Sequence, residues 1–587
     1  MASFPEASVP TAETAGVPSC AERLEPSACG DLPASSAAGS RRAAAAVGLA
    51  LLALLGPVLV GAVPPLTDYP NHLARLWLEG GGGAIAPMSS MYRVTWDAVT
   101  NIGIDLFAVL AVPLLGYEAV GRILVGAAAL LPAAGGVALW RVLHGRFHWW
   151  QIAFALLAWN IGLVMGFLNF EIGLGLALLA AAADPALGRR GAVLRAIARM
   201  ALAGLLLLVH LFALVFYAAL LIGIALGPEL RPLLAPAGRR RAIRSILPIG
   251  AALAVPAAIM LLCAPSLPGR QTGADLSSAW SDFETGFAEL RAFPVEKIEL
   301  ALIGVRAYVN WLDTLTLAAI EMAIVASLIM RRLGAHAGMG LAAGALFACY
   351  FVFPGFLAGT AWIDRRFALM ALLALAAALR PDLPPRVAPA FAACFLALSL
   401  GRTGVVGCIW RDRQADVASV SRALESAPPG AAILPLDRPV EPAQAPWGRH
   451  TTLGEPTYRH LVALALPLRH AFAPTLFAAR GKQPVRILAP WDEIAEPDGG
   501  LVANVEALTD SQRFARAVRF AAYLKLWRER FDYALLLDAD VAEARPFVAP
   551  EGMTLVRDEG FARLYRIAAP GARAGIASPP LTPSARP

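Results

Sequence analysis

One carboxylate stands between prolines in Pro64-Pro65-Leu66-Thr67-Asp68-Tyr69-Pro70-Asn71-His72-Leu73-Ala74-Arg75, where the first long apolar run of the chain ends. Asp68 is therefore held by a stiffened backbone just before a helix can start, and two roles are open to it. It can cap that helix, because a carboxylate accepts bonds from the free N–H groups of a first turn and proline is tolerated there. It can also take a proton from a reacting hydroxyl, which needs a fixed acid of suitable pKa. His72 lies one helical turn further on, close enough to bond Asp68 or to touch a substrate.

Other polar residues interrupt apolar surroundings later in the chain: Asn169 and Glu171 in GFLNFE, His210 in LLVHLFALV, and Asp364, Arg365 and Arg366 together. Arg270, Asp282 and Glu284 fall in a loop at about 264–313. Ionisable groups in or beside membrane helices are costly, which makes them candidates for a site. Arg365, Arg366, His72 and His210 could hold a phosphate, since the arginine fork matches its oxygens. Asp68 and Glu171 could hold Mg²⁺ or Mn²⁺, which prefer oxygen ligands. Plainer readings stand beside these: His210 as a satisfied core histidine, Asp364 paired with its neighbouring arginines, and Gly162, Gly166, Gly173 and Gly175 as small residues for close helix packing.

The elements that must position these groups are membrane helices. Of 587 residues, 58% are hydrophobic and 16% charged, mean hydropathy is +0.60 and net charge +7. This is the profile of a polytopic membrane protein, with arginines grouped between apolar runs as topology signals rather than as a nucleic-acid surface. The six cysteines follow no metal-ligand or CxxC spacing, which argues against a zinc site or a disulfide framework.

Segments able to span fall at about 43–63, 119–140, 149–166, 169–184, 195–209, 211–227, 242–263, 314–330, 337–353, 362–380 and 387–406. That predicts about eleven transmembrane helices. The run 101–117 is apolar but carries Asn101, Asp105 and Pro113. Placing it in the outer interface leaves Arg41-Arg42 and every later arginine group on the cytoplasmic side, as the positive-inside rule prefers. Asp68, Glu171, His210 and Arg365-Arg366 then share the outer level.

The expected organisation is a disordered cytoplasmic N-terminus at 1–40, a transmembrane domain at 41–406 with outer loops at 64–118 and 264–313, an extracytoplasmic α/β domain at 407–568, and a loose tail at 569–587. The strand-like runs Ala432–Leu434, Tyr533–Leu537 and Ala562–Ile567, set among helical stretches, carry the α/β assignment.

This order of parts resembles the GT-C superfamily of integral membrane glycosyltransferases, including the aminoarabinose and protein-mannosyl transferases that use polyprenyl-phosphate sugars. Asp68 matches the catalytic acid of the first outer loop in that family, and 101–117 matches its interfacial helix. Glu171 matches the second acid, His210 the cation between two mid-chain helices, and Arg365 or Arg366 the late arginine. The chain departs from the common pattern in having Tyr69 rather than a second acid after Asp68, and histidine rather than lysine at 210. The TDYPNHLAR and GFLNFEIGLGLALL combination is also similar to that of bacterial multi-span proteins from which no activity carries over.

The resemblance implies a bacterial inner-membrane enzyme, an inverting transferase moving a sugar from a lipid-linked donor to an envelope acceptor on the outer face. The competing class is a non-catalytic assembly or scaffold protein whose outer domain binds a partner. A transporter ranks below both, because few charges would line a path through the membrane.

Overall fold

The computed structural model describes residues 34–96, 100–229, 236–263, 297, 303–357, 360–442, 444–541 and 548–568. Its helices in chain order are α1 (Ala34–Ala53), α2 (Tyr69–Glu79), α3 (Gly103–Leu115), α4 (Tyr117–His144), α5 (Ile152–Ala158), α6 (Ile161–Val164), α7 (Leu168–Arg189), α8 (Ala192–Val209), α9 (Leu211–Leu226), α10 (Pro236–Cys263), α11 (Asn310–Ile329), α12 (Ala337–Val352), α13 (Ile363–Ala378) and α14 (Ala388–Leu424). Short helical turns join several of them.

All eleven apolar segments expected from the sequence are helical. Seven stretches among the described residues are long and apolar enough to cross a membrane: Gly39–Leu59, Tyr117–His144, Leu168–Arg189, Ala192–Val209, Pro236–Leu262, Asn310–Ile329 and Ala388–Leu424. The other four are shorter. α9, α12 and α13 have 16 residues each, about 24 Å against a hydrocarbon core of about 30 Å. The segment at 149–166 is broken at Trp159, after which the Asn160 side chain accepts from the Leu163 N–H and starts α6.

α1 begins at Ala34, so the stretch expected to be disordered reaches at most residue 33, which lies outside the described residues. So do the tail at 569–587 and the candidates Arg270, Asp282 and Glu284. At the other end of the bundle, α14 runs unbroken for 37 residues. The boundary expected near residue 406 therefore falls inside one helix that carries the chain from the bundle into the last domain.

That domain holds the strands β2 (Ile433–Asp437), β4 (Ala503–Asn504), β5 (Tyr533–Leu537), β6 (Met553–Asp558) and β7 (Arg563–Ile567), in the spatial order β6-β7-β5-β2-β4. β2 is parallel to both β4 and β5, while β7 is antiparallel to β5 and β6. β5 is buried along its whole length, as the uninterrupted Tyr533-Ala534-Leu535-Leu536-Leu537 run demands of a strand covered on both faces.

The loop after α1 is built into this domain. Its strand β1 (Tyr92–Val94) pairs antiparallel with β3 (Val485–Ile487) of the last third. Asn71 on α2 donates to the Thr475 carbonyl at 2.9 Å and accepts from the Phe477 N–H at 3.0 Å. The Tyr92 hydroxyl meets both the N–H and the carbonyl of Ala473, each at 3.3 Å. Thr67 donates to the Pro456 carbonyl at 3.2 Å.

α3 explains the acid in the 101–117 run. It has 13 residues, about 20 Å of rise, too few to span. Its Leu106, Phe107, Leu110 and Leu114 face outward, while Asp105 is fully buried. There Asp105 accepts from Arg75 Nε at 2.6 Å, and Asn169 of GFLNFE caps the helix start by accepting from the Ile104 N–H at 2.9 Å. Arg75 is also fully buried, with Glu79 at 3.5 Å. Burial and the Asp105 charge push Glu79 well above the usual carboxylate range, so the ion pair is Arg75 with Asp105.

Arg75→Met leaves Asp105 buried without its counter-charge, which should cost about 3–5 kcal/mol. Thermal unfolding in detergent measures it, and a melting temperature equal to that of the unaltered protein would contradict the assignment.

Candidate active site

Asp68 is held from three sides. Its N–H donates to the Met165 carbonyl and that of Thr67 to the Val164 carbonyl, both at 3.0 Å. Just upstream, the Pro65 carbonyl accepts from the Tyr308 hydroxyl at 2.7 Å, and the Val63 carbonyl from Gln414 on α14 at 2.9 Å. Gly166 closes the contact. Its φ is +84°, and a Cβ there would lie 2.9 Å from the Asp68 nitrogen and 3.0 Å from its Cβ, so only glycine lets the GFLNFE turn approach this closely.

The capping role does not hold. Asp68 occupies the N-cap position of α2, yet its side chain makes no bond to the helix. The carboxylate points instead into the seam between the bundle and the α/β domain, 18% exposed, with His460 Nε2 3.7 Å from its Oδ1. Arg459, Arg366 and Arg75 act on it favourably and Glu455 unfavourably, but burial outweighs them and pushes its pKa up to about 7. Burial also lowers His460, to about 3, so His460 is a neutral neighbour rather than an ion-pair partner.

Of the residues expected at a site, Arg366 joins Asp68 most directly. It sits under the rings of Phe167, Phe170 and Phe212 at 5.0, 5.8 and 5.4 Å, and lies within electrostatic reach of both Asp68 and His210. His210 Nδ1 accepts from the Phe212 N–H at 3.1 Å, capping α9, so its other nitrogen is left to act as a donor. Arg365 turns away to stack on Trp362 at 3.9 Å. Asp364 accepts from the Arg365 N–H and lies 3.5 Å from Lys297. His72 meets the Gly166 carbonyl at 3.1 Å and packs edge-on against Phe477, which makes it part of the domain seam.

Glu171 stands apart. Its carboxylate packs against Gly162 and Asn160. No three His, Cys, Asp or Glu residues gather among those described. Three arginines act on Asp68, and Glu171 lies against Asn160.

The glycines divide accordingly. Gly173 and Gly175 abut Ala213 and Leu131 in helix packing, whereas Gly162 and Gly166 make room for Glu171 and Asp68. A small cavity of about 10 Å³ is lined by Asn160, Phe167, Trp362, Arg365 and Arg366 among others, room for about one water.

His460 and Arg459 are the site neighbours that sequence reasoning missed. They lie nearly four hundred residues from Asp68 in a polar domain, where a histidine and an arginine carry no distinguishing pattern.

No protein-family model matches the chain, and no curated protein does. Among solved structures it is similar to the crystal structure of ArnT from Cupriavidus metallidurans in the apo state. The identity is 13%, the match covers 91% of this chain and 98% of that one, and the TM-score is 0.43.

The raised pKa has a stability signature. Between about pH 4 and pH 7 the folded protein keeps a proton on Asp68 that the unfolded chain has released, so stability present below pH 4 is lost as pH rises through 7. Asp68→Asn, which mimics the protonated form, should therefore raise the melting temperature at pH 8 and change it little at pH 4. A shift independent of pH would show that Asp68 is not the titrating group.

Proposed function

We propose that this protein is a membrane glycosyltransferase in which Asp68 acts as general base, moving a sugar from a polyprenyl-phosphate donor to an acceptor hydroxyl on the extracytoplasmic side. The observation that carries the reading is the state of Asp68: fixed by its backbone, committed to no cap, partly open, and with a pKa near 7. A base poised near working pH combines the right protonation state with driving force for proton transfer.

In the proposed step the acceptor oxygen attacks the anomeric carbon and its proton passes to Asp68. The bond from that carbon to the phosphate oxygen breaks, and its electron pair leaves with the lipid phosphate. Attack from the face opposite the leaving group inverts the anomeric centre. The departing negative charge is stabilised by Arg366, Arg459 and the free ring nitrogen of His210, as preorganised cations stabilise a developing anion.

The bacterial inner membrane, with the N-terminus cytoplasmic and the α/β domain outside, is the location this reading assigns. It is supported by the seven membrane-length helices and by the arginine grouping.

The narrowness of the cavity beside Arg365 and Arg366 favours a second reading, an anchored scaffold whose outer domain grips a partner. At about 10 Å³ the cavity has room for no more than a water.

The two readings separate in membranes given a radiolabelled polyprenyl-phosphate sugar and envelope extract. The transferase reading expects label transfer that falls by roughly 10²–10⁴-fold in Asp68→Asn, and by a similar order in Arg366→Met. Absence of transfer by the unaltered protein, or full transfer by Asp68→Asn, would leave the scaffold.

A further inference from the structure

A second cavity lies in the α/β domain. It has a volume of about 330 Å³, and its lining includes Asp437, His450, Arg459, Asn504, Asp538 and Phe561. This is within the range of small-molecule sites.

Its position follows from the sheet. Asp437 ends β2, and the parallel registers set it opposite Asn504 on β4 and Leu537 on β5, with Asp538 next in the chain. The carboxyl ends of three adjacent parallel strands thus open into one crevice, the place where α/β sheets bind ligands. Asp538 has a φ of +53°, a left-handed conformation uncommon outside glycine that gathers at functional positions.

The lining chemistry narrows the ligand. Burial and the charge of Asp538 push Asp437 up to about 7, and burial with the charges of Asp540 and Asp416 pushes Asp538 up to about 6. Three arginines also line the crevice, but Arg438 bonds the Ala539 carbonyl and Arg459 pairs with Glu455, so neither stands ready to clamp a phosphate. Arg449 already bonds Asp416, Asp538 and Asp540, so it does not supply a spare cation. A metal is not favoured either, since no group of three ligating residues gathers among those described.

What remains exposed to a ligand is a mixture. Asp437 offers acceptors, and its carboxylate has no salt bridge among the described residues. Arg459, paired with Glu455 through one guanidinium nitrogen, offers its remaining donors, and the buried His450 Nδ1 has no partner among those residues. Phe561 supplies an apolar face, with Arg449 already 4.5 Å over its ring. Hydroxyls, which donate and accept together, satisfy such a set where an anion or a bare cation cannot.

We propose that this cavity binds a neutral, hydroxyl-rich sugar unit, and that Arg459, which lines it and also acts on Asp68, joins it to the site at the seam. That the bound sugar belongs to the acceptor rests on the transferase reading; the binding itself does not.

The test uses the full chain in detergent micelles, with saturation-transfer NMR and titration against the methyl glycosides of glucose, galactose, mannose and N-acetylglucosamine, and with MnCl₂ and inorganic phosphate as contrasts. At least one glycoside should bind in the millimolar range, weakened roughly tenfold or more in Asp437→Asn, as loss of a charged hydrogen bond would do. His450→Phe should weaken it as well and serves if Asp437→Asn does not fold. Asp68→Asn should bind the glycoside as the unaltered protein does, so that loss of transfer and loss of binding remain distinct outcomes. Saturable binding of Mn²⁺ or phosphate without any glycoside, no binding at all, or glycoside binding untouched by both cavity variants would each overturn the proposal.

Discussion

The buried pair of Arg75 and Asp105 is the constraint on which the joint between the bundle and the α/β domain depends. A guanidinium with no exposure is tolerable only beside a carboxylate in good geometry, and the 2.6 Å contact to Asp105 provides one. Because Arg75 lies two turns along α2 from Asp68, fixing it against α3 fixes the direction of α2. That direction sets where Asp68 emerges and lets Asn71 meet the 475–477 backbone. Two groups usually treated as expensive in apolar surroundings thereby become the peg that aligns the bundle with the outer domain.

The same arrangement gives the proline-flanked stretch two functions. Thr67 and Asn71 bind the last third of the chain and His72 packs against its Phe477, while the Asp68 carboxylate faces the gap between the two parts. A site at such a seam is completed only when both parts are present: the bundle supplies Arg366 and His210, the α/β domain Arg459 and His460. The cost of taking the carboxylate out of water appears in its raised pKa, and three nearby arginines only partly offset it.

How much of this was legible in the sequence depends on the kind of signal. Long apolar runs announce themselves by composition, so all eleven helical segments could be located. Proline on both sides of Asp68 marked it as unusual, and Asp105 stood out as an acid in a greasy run. Pairings across sequence distance were not legible. Nothing in Arg75 names Asp105 as its partner, and the choice between a capping and a free Asp68 turned on one side-chain direction. Arg365 and Arg366 looked equivalent because adjacent helical residues point about 100° apart, and only packing decides which faces inward. Glu171 was drawn toward Asp68 by its level in the topology, whereas a residue's direction around its helix, which separates the two, is not fixed by level.

Asn71 and the backbone it grips are 404 residues apart, which has a consequence for biosynthesis. At about 5–20 residues per second, on the order of 20–80 seconds pass between the emergence of the first outer segment and the arrival of its partner. Throughout that interval the strand at Tyr92–Val94 has an open edge, and the amide of Asn71 bonds only water. The nascent protein is thus a half-built clasp on the membrane surface, and a ribosome stalled before residue 475 leaves it open for any quality-control protease that recognises unpaired backbone.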